Sequence, residues 1–531
     1  LPVMEEKGAA MAMAGSTVDS NVDRGAGARM SENATSSSDT LTPAKLKNLP
    51  VINERSAEEG VGIDDENTVW WTSDDDPENP HNWSIWRKYS NTTLISLLTL
   101  ITPMASNVCT PALPKIMEDF NQAKNDELSS FVTSIFALGL AFGPLVFAPL
   151  SELYGRLPVY HVCNIIFVIF TVACAMAPTL GSLIAFRFLA GCFGSTPMTN
   201  GGGSVADMFL PEERAVIMAA FSIGPLFGPI IGPVVGGVLA HHKGWRWVFW
   251  FIAILGGAVS VAMVLVLRES FAPVILARRT NRLRKETGNQ QLRSKLDQGL
   301  TSRQLFKLSI IRPMKLLVFS PICTVFAVDA MFVLGSQYLI STAIPFVFKE
   351  GYGFSSIQAG LMFVGGGVGC LVGMVWFGID STLAMKRTKE QNSESEADPE
   401  VRLRLLPAGS IILPAGFFIY GWTTYFHTHW MGPEVGLFLT GLGSILIIMV
   451  ISVYLVDAYE QYAASALAAN TVMRSIGAAC LPLCALKMYK ELGVGWGNSL
   501  LGFISIALIP ILLIIRRHGA RIRQKFDAST L

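Results

Sequence analysis

Charge is scarce in this sequence. Of its 531 residues only 15% are Asp, Glu, Lys or Arg, while 51% are apolar, and mean hydropathy is +0.44. A soluble chain carries about 25% charged residues, so a soluble globular fold is excluded. The formal net charge of +1 leaves no basic excess of the kind that holds nucleic acid. Metal-ligand clusters are also missing: Cys109, Cys163, Cys174, Cys192, Cys323, Cys370, Cys480 and Cys484 all fall within apolar segments. They show neither the CxxC pairs of a zinc site nor the loop spacing of a disulfide framework. They are expected to be buried thiols, and no metal or cofactor is expected. The first 85 residues show no basic-then-apolar signal-peptide pattern. Residues 1–85 are rich in Ser, Gly, Asp, Glu and Asn without apolar periodicity, which reads as a disordered tail.

What the chain has in abundance is long apolar runs. Spans are expected near 89–111, 128–150, 158–177, 182–206, 214–239, 247–267, 314–346, 356–379, 405–426, 433–456, 463–486 and 497–515, and about 20 apolar residues suffice to cross a bilayer core. Before the first span, "DDPENPHNWSIWRKY" gathers Trp83, Trp86 and Tyr89 with Arg87 and Lys88, a mixture suited to the membrane interface. The loops "RESFAPVILARRTNRLRKETGN", "MKRTKEQ" and "RRHGARIRQK" follow spans six, eight and twelve, so the basic residues crowd one side. That side is expected to be cytosolic, and an even number of spans puts both termini there. The opposite loops carry scattered Lys115, Lys243 and Lys349. Sequons at Asn33 and Asn82 then fall on the cytosolic side, where they go unused. The expected divisions are a tail (1–85), an N-terminal bundle (86–267), a cytosolic central loop (268–312), a C-terminal bundle (313–515) and a cytosolic C-terminal tail (516–531).

Six spans, a basic loop and six more spans form the layout of a duplicated transporter. Around the second span, "GPLVFAPLSELYGRLP" resembles the G-x-L-x-D-R-x-G-R-R signature of the major facilitator superfamily: Ala148 stands for the first glycine, Glu152 for the aspartate and Leu153 for the first basic residue, while Gly155 and Arg156 match. "LIAFRFLAGCFGS" is similar to a second family signature, with Arg187 as its arginine. "GPIIGPVVGG" matches the antiporter signature G-x-x-x-G-P-x-x-G-G at Gly228, Gly232, Pro233, Gly236 and Gly237. "PHNWS", "GGGSVADMF", "WRWVFWF" and "SALAANTVMRS" look like the fungal twelve-helix branch of drug:proton antiporters, and the resemblance spans roughly residues 80–516. It implies an all-α membrane protein, twelve transmembrane helices in two pseudo-symmetric six-helix bundles, working by alternating access around a central cavity.

The residues themselves give this physical content. Gly224, Gly228, Gly232 and Gly236, four apart, lie on one helix face and make a groove that a neighbouring helix can enter; Pro225, Pro229 and Pro233 each free a carbonyl four residues back. The resemblance puts Glu152 and Arg156 in a cytosolic latch. "WFGID", with Asp380 followed by Lys386 and Arg387, is a faint counterpart in the second half. Ionisable groups inside spans are expensive and therefore informative: they are Arg187, Asp329 and Arg474. Arg187 matches the family arginine linked to proton transfer, or it clamps backbone carbonyls. Asp329 is either the proton-carrying carboxylate or a packed acid. Arg474 is expected to face the bundle, toward substrate or helix ends. Asn107, Asn200, Gln337, Tyr338 and Asn470 are further cavity candidates.

Two buried arginines against one aspartate disfavour a polycation and permit a neutral, amphiphilic or anionic solute. The resulting expectation is an exporter of a small organic molecule, a metabolite, toxin or drug, by proton antiport, monomeric, in a fungal plasma membrane or alternatively a vacuolar one. Its partners are the solute, protons and the lipid bilayer, with no nucleic acid. A dedicated organic-acid or pathway-metabolite exporter, facilitated or proton-linked, and a proton-coupled importer are the alternatives within transport. A membrane enzyme would need nucleophiles or metal ligands at the membrane face. The pairs His241–His242 and His427–His429, without carboxylate partners, do not supply them.

Overall fold

The structure, a computed structural model, describes residues 67–525 except 74, 123–124, 298–301, 392–398 and 460–461. The sequon at Asn33, the tail reading of residues 1–66 and the last six residues lie outside the described residues, as do the side chains of Lys386 and Arg387. Within lipid every backbone polar group needs an internal partner, so apolar segments become helices. The first half comprises α1 Ile85–Asn107, a short α2 Leu113–Asp119, α3 Asp126–Tyr154, α4 Arg156–Ala175, α5 Leu180–Gly194, α6 Thr196–Met208, α7 Pro211–His242 and α8 Arg246–Val266. Two connecting helices follow, α9 Ala272–Thr287 and α10 Ser302–Phe319. The second half comprises α11 Pro321–Tyr352, α12 Ser356–Leu361, α13 Phe363–Gln391, α14 Leu406–Tyr425, α15 Met431–Tyr459, α16 Ala463–Cys480 and α17 Ala485–Lys525.

Among the described residues, ten helical segments have the length and hydropathy to cross a membrane. The tenth, Ala463–Arg523, holds two crossings, because the chain turns at Leu481–Cys484 and again at Gly493, whose φ of 76° is outside the helical region. The fourth expected span is divided instead: α5 ends at Gly194 and α6 starts at Thr196 with Pro197 in its first turn, where a missing N–H is tolerated. Together these make the twelve crossings. The seventh begins at Pro321 rather than near 314, since α10 extends to Phe319 before Ser320 caps the next helix.

Each half has its own apolar core. Phe136, Tyr160, Phe167 and Phe249 belong to the first; Phe326, Phe348, Phe417, Tyr420 and Tyr454 to the second. On α4 the side chains of Val162, Ile165 and Ile169 are exposed while Tyr160, Asn164 and Thr171 are buried. Apolar outside and polar inside reverses the rule for proteins in water, and suits lipid. Four cysteines are buried as expected, Cys109, Cys163, Cys174 and Cys323, whereas Cys192 and Cys370 are half-buried and Cys480 and Cys484 are exposed, the last two because the turn between α16 and α17 leaves its small side chains uncovered.

The end of the N-terminal tail also differs from its expected disorder. From residue 67 onward it forms a strap across the central loop. Strand β1 Thr68–Val69 pairs in parallel with β2 Arg293–Ser294, and Asn289 donates to Asn67 at 2.8 Å. Arg279 of α9 donates to Asp76 at 2.7 Å, and Arg282 to Glu78 at 3.2 Å. Trp83 is buried, whereas Trp86 is exposed. Composition hides this order because it comes from ion pairs with residues two hundred positions away rather than from apolar periodicity. Burial alone would raise the Asp76 carboxyl, but Arg279 and the N–H groups of Thr72 and Glu78 outweigh it and hold the group at about 2.

Removing this carboxylate by Asp76→Ala should cost the strap about 1.5–3 kcal/mol, the worth of a hydrogen bond to a charged group. Chymotrypsin cleavage at Trp70 and Trp71, followed in the purified protein, is expected to accelerate roughly tenfold or more. The folded carboxyl lies below its ordinary 3.8, so its stabilisation is complete above about pH 4 and lost only as pH falls toward 2.

Candidate functional site

The glycine groove of α7 is filled by α1. A Cβ on Gly224 would lie 3.0 Å from the Ser96 carbonyl oxygen, on Gly228 2.7 Å from that of Leu100, and on Gly232 2.8 Å from that of Met104, while one on Gly236 would overlap that of Val108. Glycines four apart thus meet carbonyls four apart, two helices running side by side in constant register. Despite Pro225, Pro229 and Pro233, α7 continues unbroken from Pro211 to His242. Its adjoining face meets the other half: a Cβ on Gly237 would overlap the Ser356 carbonyl, and one on Gly360 of α12 would lie 2.5 Å from that of Pro233. The antiporter-signature helix therefore touches α1 within its own half and α12 across the boundary.

On the side of the central loop, Arg156 is held at several points. Its Nε donates to Asp207 at 3.2 Å, its Nη1 to Ser151 at 2.7 Å, and its guanidinium lies over the Phe271 ring. Glu269 caps the start of α4, accepting from the backbone N–H of Arg156 at 2.9 Å and of Leu157 at 3.2 Å. This requires Gly155: its φ is +100°, and a Cβ would lie 2.7 Å from the Glu269 carboxyl carbon. Ser151 in turn donates to the Ala148 carbonyl and to Asn200 Oδ1, both at 3.1 Å. Two expectations are corrected here. Glu152 is exposed and forms no ion pair or hydrogen bond among the described residues, although Arg156 lies within electrostatic reach of it. Asn200 serves this latch rather than the cavity, since α6 carries it toward Ser151.

The second half repeats the arrangement. Arg402, ahead of α14, donates to Asp457 at 2.7 Å and to Ser381 at 2.9 Å. A serine late in the second crossing, an arginine at or just before the start of the third and an aspartate near the end of the fourth recur in each bundle. Asp380 lies 3.9 Å from Arg404. Sequence reasoning missed Asp207, Glu269, Arg402 and Asp457. A signal existed for the aspartates, which both close an apolar helix, in "VADMF" and "YLVDAY".

Deeper in the bundle, Arg187 is buried at 2% exposure and gives its donors to backbone carbonyls: Ala105 and Ser106 at 2.7 Å, Val132 at 3.1 Å and Thr133 at 3.5 Å. Its plane covers Phe136 at 4.9 Å. It satisfies the carbonyls at the C-terminal end of α1, where a helix leaves them orphaned and a cation is favoured. Among the described residues no carboxylate pairs with it. Asp329 is buried, with Oδ2 unbonded. Among the described residues, Ser106 bonds Tyr338 at 3.1 Å and Lys349 bonds Glu118 at 3.0 Å across the halves. Around Tyr338 stand Asn107 and the guanidinia of Arg187 and Arg474. Asn470, one turn before Arg474 on the same helix, is buried with Oδ1 unbonded. Among the described residues the Gln337 amide reaches only the Cys370 sulfur, at 3.9 Å. No group of three or more potential metal ligands occurs among the described residues.

Two helical bundles with apolar outer faces, paired latches and a polar cluster where they meet define a polytopic membrane transporter. Comparison with known proteins gives the family. The Major Facilitator Superfamily sequence model matches residues 95–482, and the chain belongs to that family. It is 46% identical over 499 residues to the MFS-type transporter tndD of Aspergillus flavipes, covering 92% of this chain and 93% of that one. It is 46% identical over 460 residues to the efflux pump radE of Floropilus chiversii, covering 87% and 85%. Among solved structures it is similar to the xylose transporter XylE from E. coli, TM-score 0.60 at 15% identity, covering 81% and 98%, and to a bacterial homolog of the lysosomal transporter Spinster, TM-score 0.59 at 15% identity, covering 83% and 98%. The chain is a multi-pass membrane transporter and not an enzyme.

Gly232→Leu should force α1 and α7 apart and abolish solute flux in reconstituted vesicles, while the protein still reaches the membrane; unaltered flux would remove the groove from the mechanism. Gly155→Ala, which combines a positive φ with a clash at Glu269, should cost on the order of 1–3 kcal/mol. A thermal midpoint lower by several degrees in detergent is the expected reading.

Proposed function

We propose that this protein exports a small organic metabolite across a fungal plasma membrane by alternating access, with a proton moving the opposite way and both termini in the cytosol. The observation that carries the reading is the position of α7, whose glycines seat α1 on one side and meet α12 of the other half on the next. A helix so placed transmits a movement of one bundle to the other at the point where the halves touch. The names of the relatives, transporters and an efflux pump of fungi, support export. In this reading the Arg156 and Arg402 latches stabilise the cytosolic ends, and they break and reform as the cavity changes sides.

Asp329 is the proposed proton carrier. It is buried inside a crossing, and its Oδ2 makes no bond, so a proton can load it without disrupting an existing pair. The energetics suffice. A gradient of about two pH units supplies roughly 2.7 kcal/mol per proton and a potential near 100 mV about 2.3 kcal/mol more. One proton then sustains a concentration ratio of order 10³ to 10⁴ for a neutral solute.

The decisive experiment is proton flux in proteoliposomes holding a pH gradient, challenged in turn with organic acids, lipophilic toxins and polyamines. Collapse of the gradient on adding one class is the expected result; labelled solute movement without a proton signal would replace antiport by facilitated export. Asp329→Asn should flatten the pH dependence of transport, and an unchanged profile would return this residue to a structural role.

A further inference from the structure

The two arginines inside the bundle differ in one respect that bears on the cargo. Arg187 gives its donors to carbonyls of α1 and α3. Arg474, on α16, forms no hydrogen bond or ion pair with any described residue; only the Tyr338 hydroxyl is within electrostatic reach of it. Part of its side chain remains accessible, although it lies within a crossing and beside the boundary between the halves. A guanidinium desolvated in this way and left without an anion is unfavourable. The obvious internal counterion does not serve it: Asp329 makes no ion pair or electrostatic contact with Arg474.

We infer that Arg474 is the anchor of an anion site, and that the exported solute is an organic monoanion, an ionised carboxylic acid or acidic enol on an apolar body. The inference rests on the exporter reading above and names its substrate class. The planar fork of a guanidinium matches two oxygens of a carboxylate or enolate at once. One uncommitted guanidinium sets the charge at one. The Tyr338 hydroxyl is placed to bond the same anion, and it now bonds Ser106 of the other half. Asn470, one turn before Arg474, offers its amide to a neighbouring polar group of the solute. An anion reaching Arg474 therefore competes for a hydrogen bond that ties the two halves together, so binding itself loosens the bundle boundary.

The test uses purified full-length protein and three probes of equal bulk: pyrenebutanoate, its neutral amide and pyrenebutylamine, with binding read by energy transfer from tryptophan. The butanoate is expected to bind about tenfold or more tightly than the amide. Arg474→Gln should erase that preference by weakening the butanoate far more than the amide, and Arg474→Lys should restore part of it. Tyr338→Phe, read the same way, should weaken the butanoate selectively and keeps the test decisive if the Gln variant does not fold. An equal butanoate-to-amide ratio in wild type and Arg474→Gln, preference for the amide or amine, or no butanoate binding overturns the inference. Efflux of the three probes from proteoliposomes separates the two levels. Movement of the amide or amine in preference to the butanoate overturns the anion site and leaves export standing, whereas movement of none overturns both.

Discussion

Four glycines of α7 lie against four carbonyls of α1, and much of the molecule follows from that contact. With no Cβ on Gly224, Gly228, Gly232 and Gly236, the two backbones approach until the Ser96, Leu100, Met104 and Val108 carbonyls fill the groove. In lipid no hydrophobic force drives helices together, so this close van der Waals approach is itself the attraction. It fixes the height of α1, hence the place of Ser106 and Asn107, and hence where the first half can meet Tyr338. Gly237, turned to the neighbouring face, extends the same device across the boundary to α12.

A second constraint is that every polar group inside the bundle must find a partner. Arg187 answers it by supplying donors to the carbonyls that end α1 and to a pair on α3, locking three helices of the first half. Glu269 supplies the acceptors for the N–H groups that begin α4. The latches built on Arg156 and Arg402 follow one plan in both halves, serine, arginine and aspartate from successive helices. A duplicated bundle faces the same problem twice, that of holding three helix ends where they leave the lipid. Arg474 stands outside this economy of partners, as do Asp329 Oδ2 and the neighbouring Asn470 Oδ1, and it alone of the three carries a full positive charge.

The bundle architecture was legible in the sequence because lipid imposes a coarse rule: a run of about 20 apolar residues must become a helix. The groove of α7 was legible for a similar reason, since spacing along one helix dictates which residues share a face. The latch was legible only in part. Gly155 and Arg156 could be read from the signature, but Asp207 and Glu269, which grip that arginine and its helix start, come from other helices. The strap was illegible, as Asp76 and Glu78 look like any acids of a polar tail until Arg279 and Arg282 are brought beside them.

The sequence alone therefore determined the number of crossings, the helix faces and the short list of charged groups inside the membrane, all of which depend on neighbours within a few turns. Only the tertiary structure decided which of those groups are occupied. Arg187 and Arg474 are the same residue type in similarly apolar helices, and nothing local distinguishes them. The donors of one are consumed by carbonyls from α1 and α3, while those of the other engage no described residue. That difference arises from how distant helices are placed, because hydrogen bonds act over about 3 Å and are set by neighbours in space rather than in sequence.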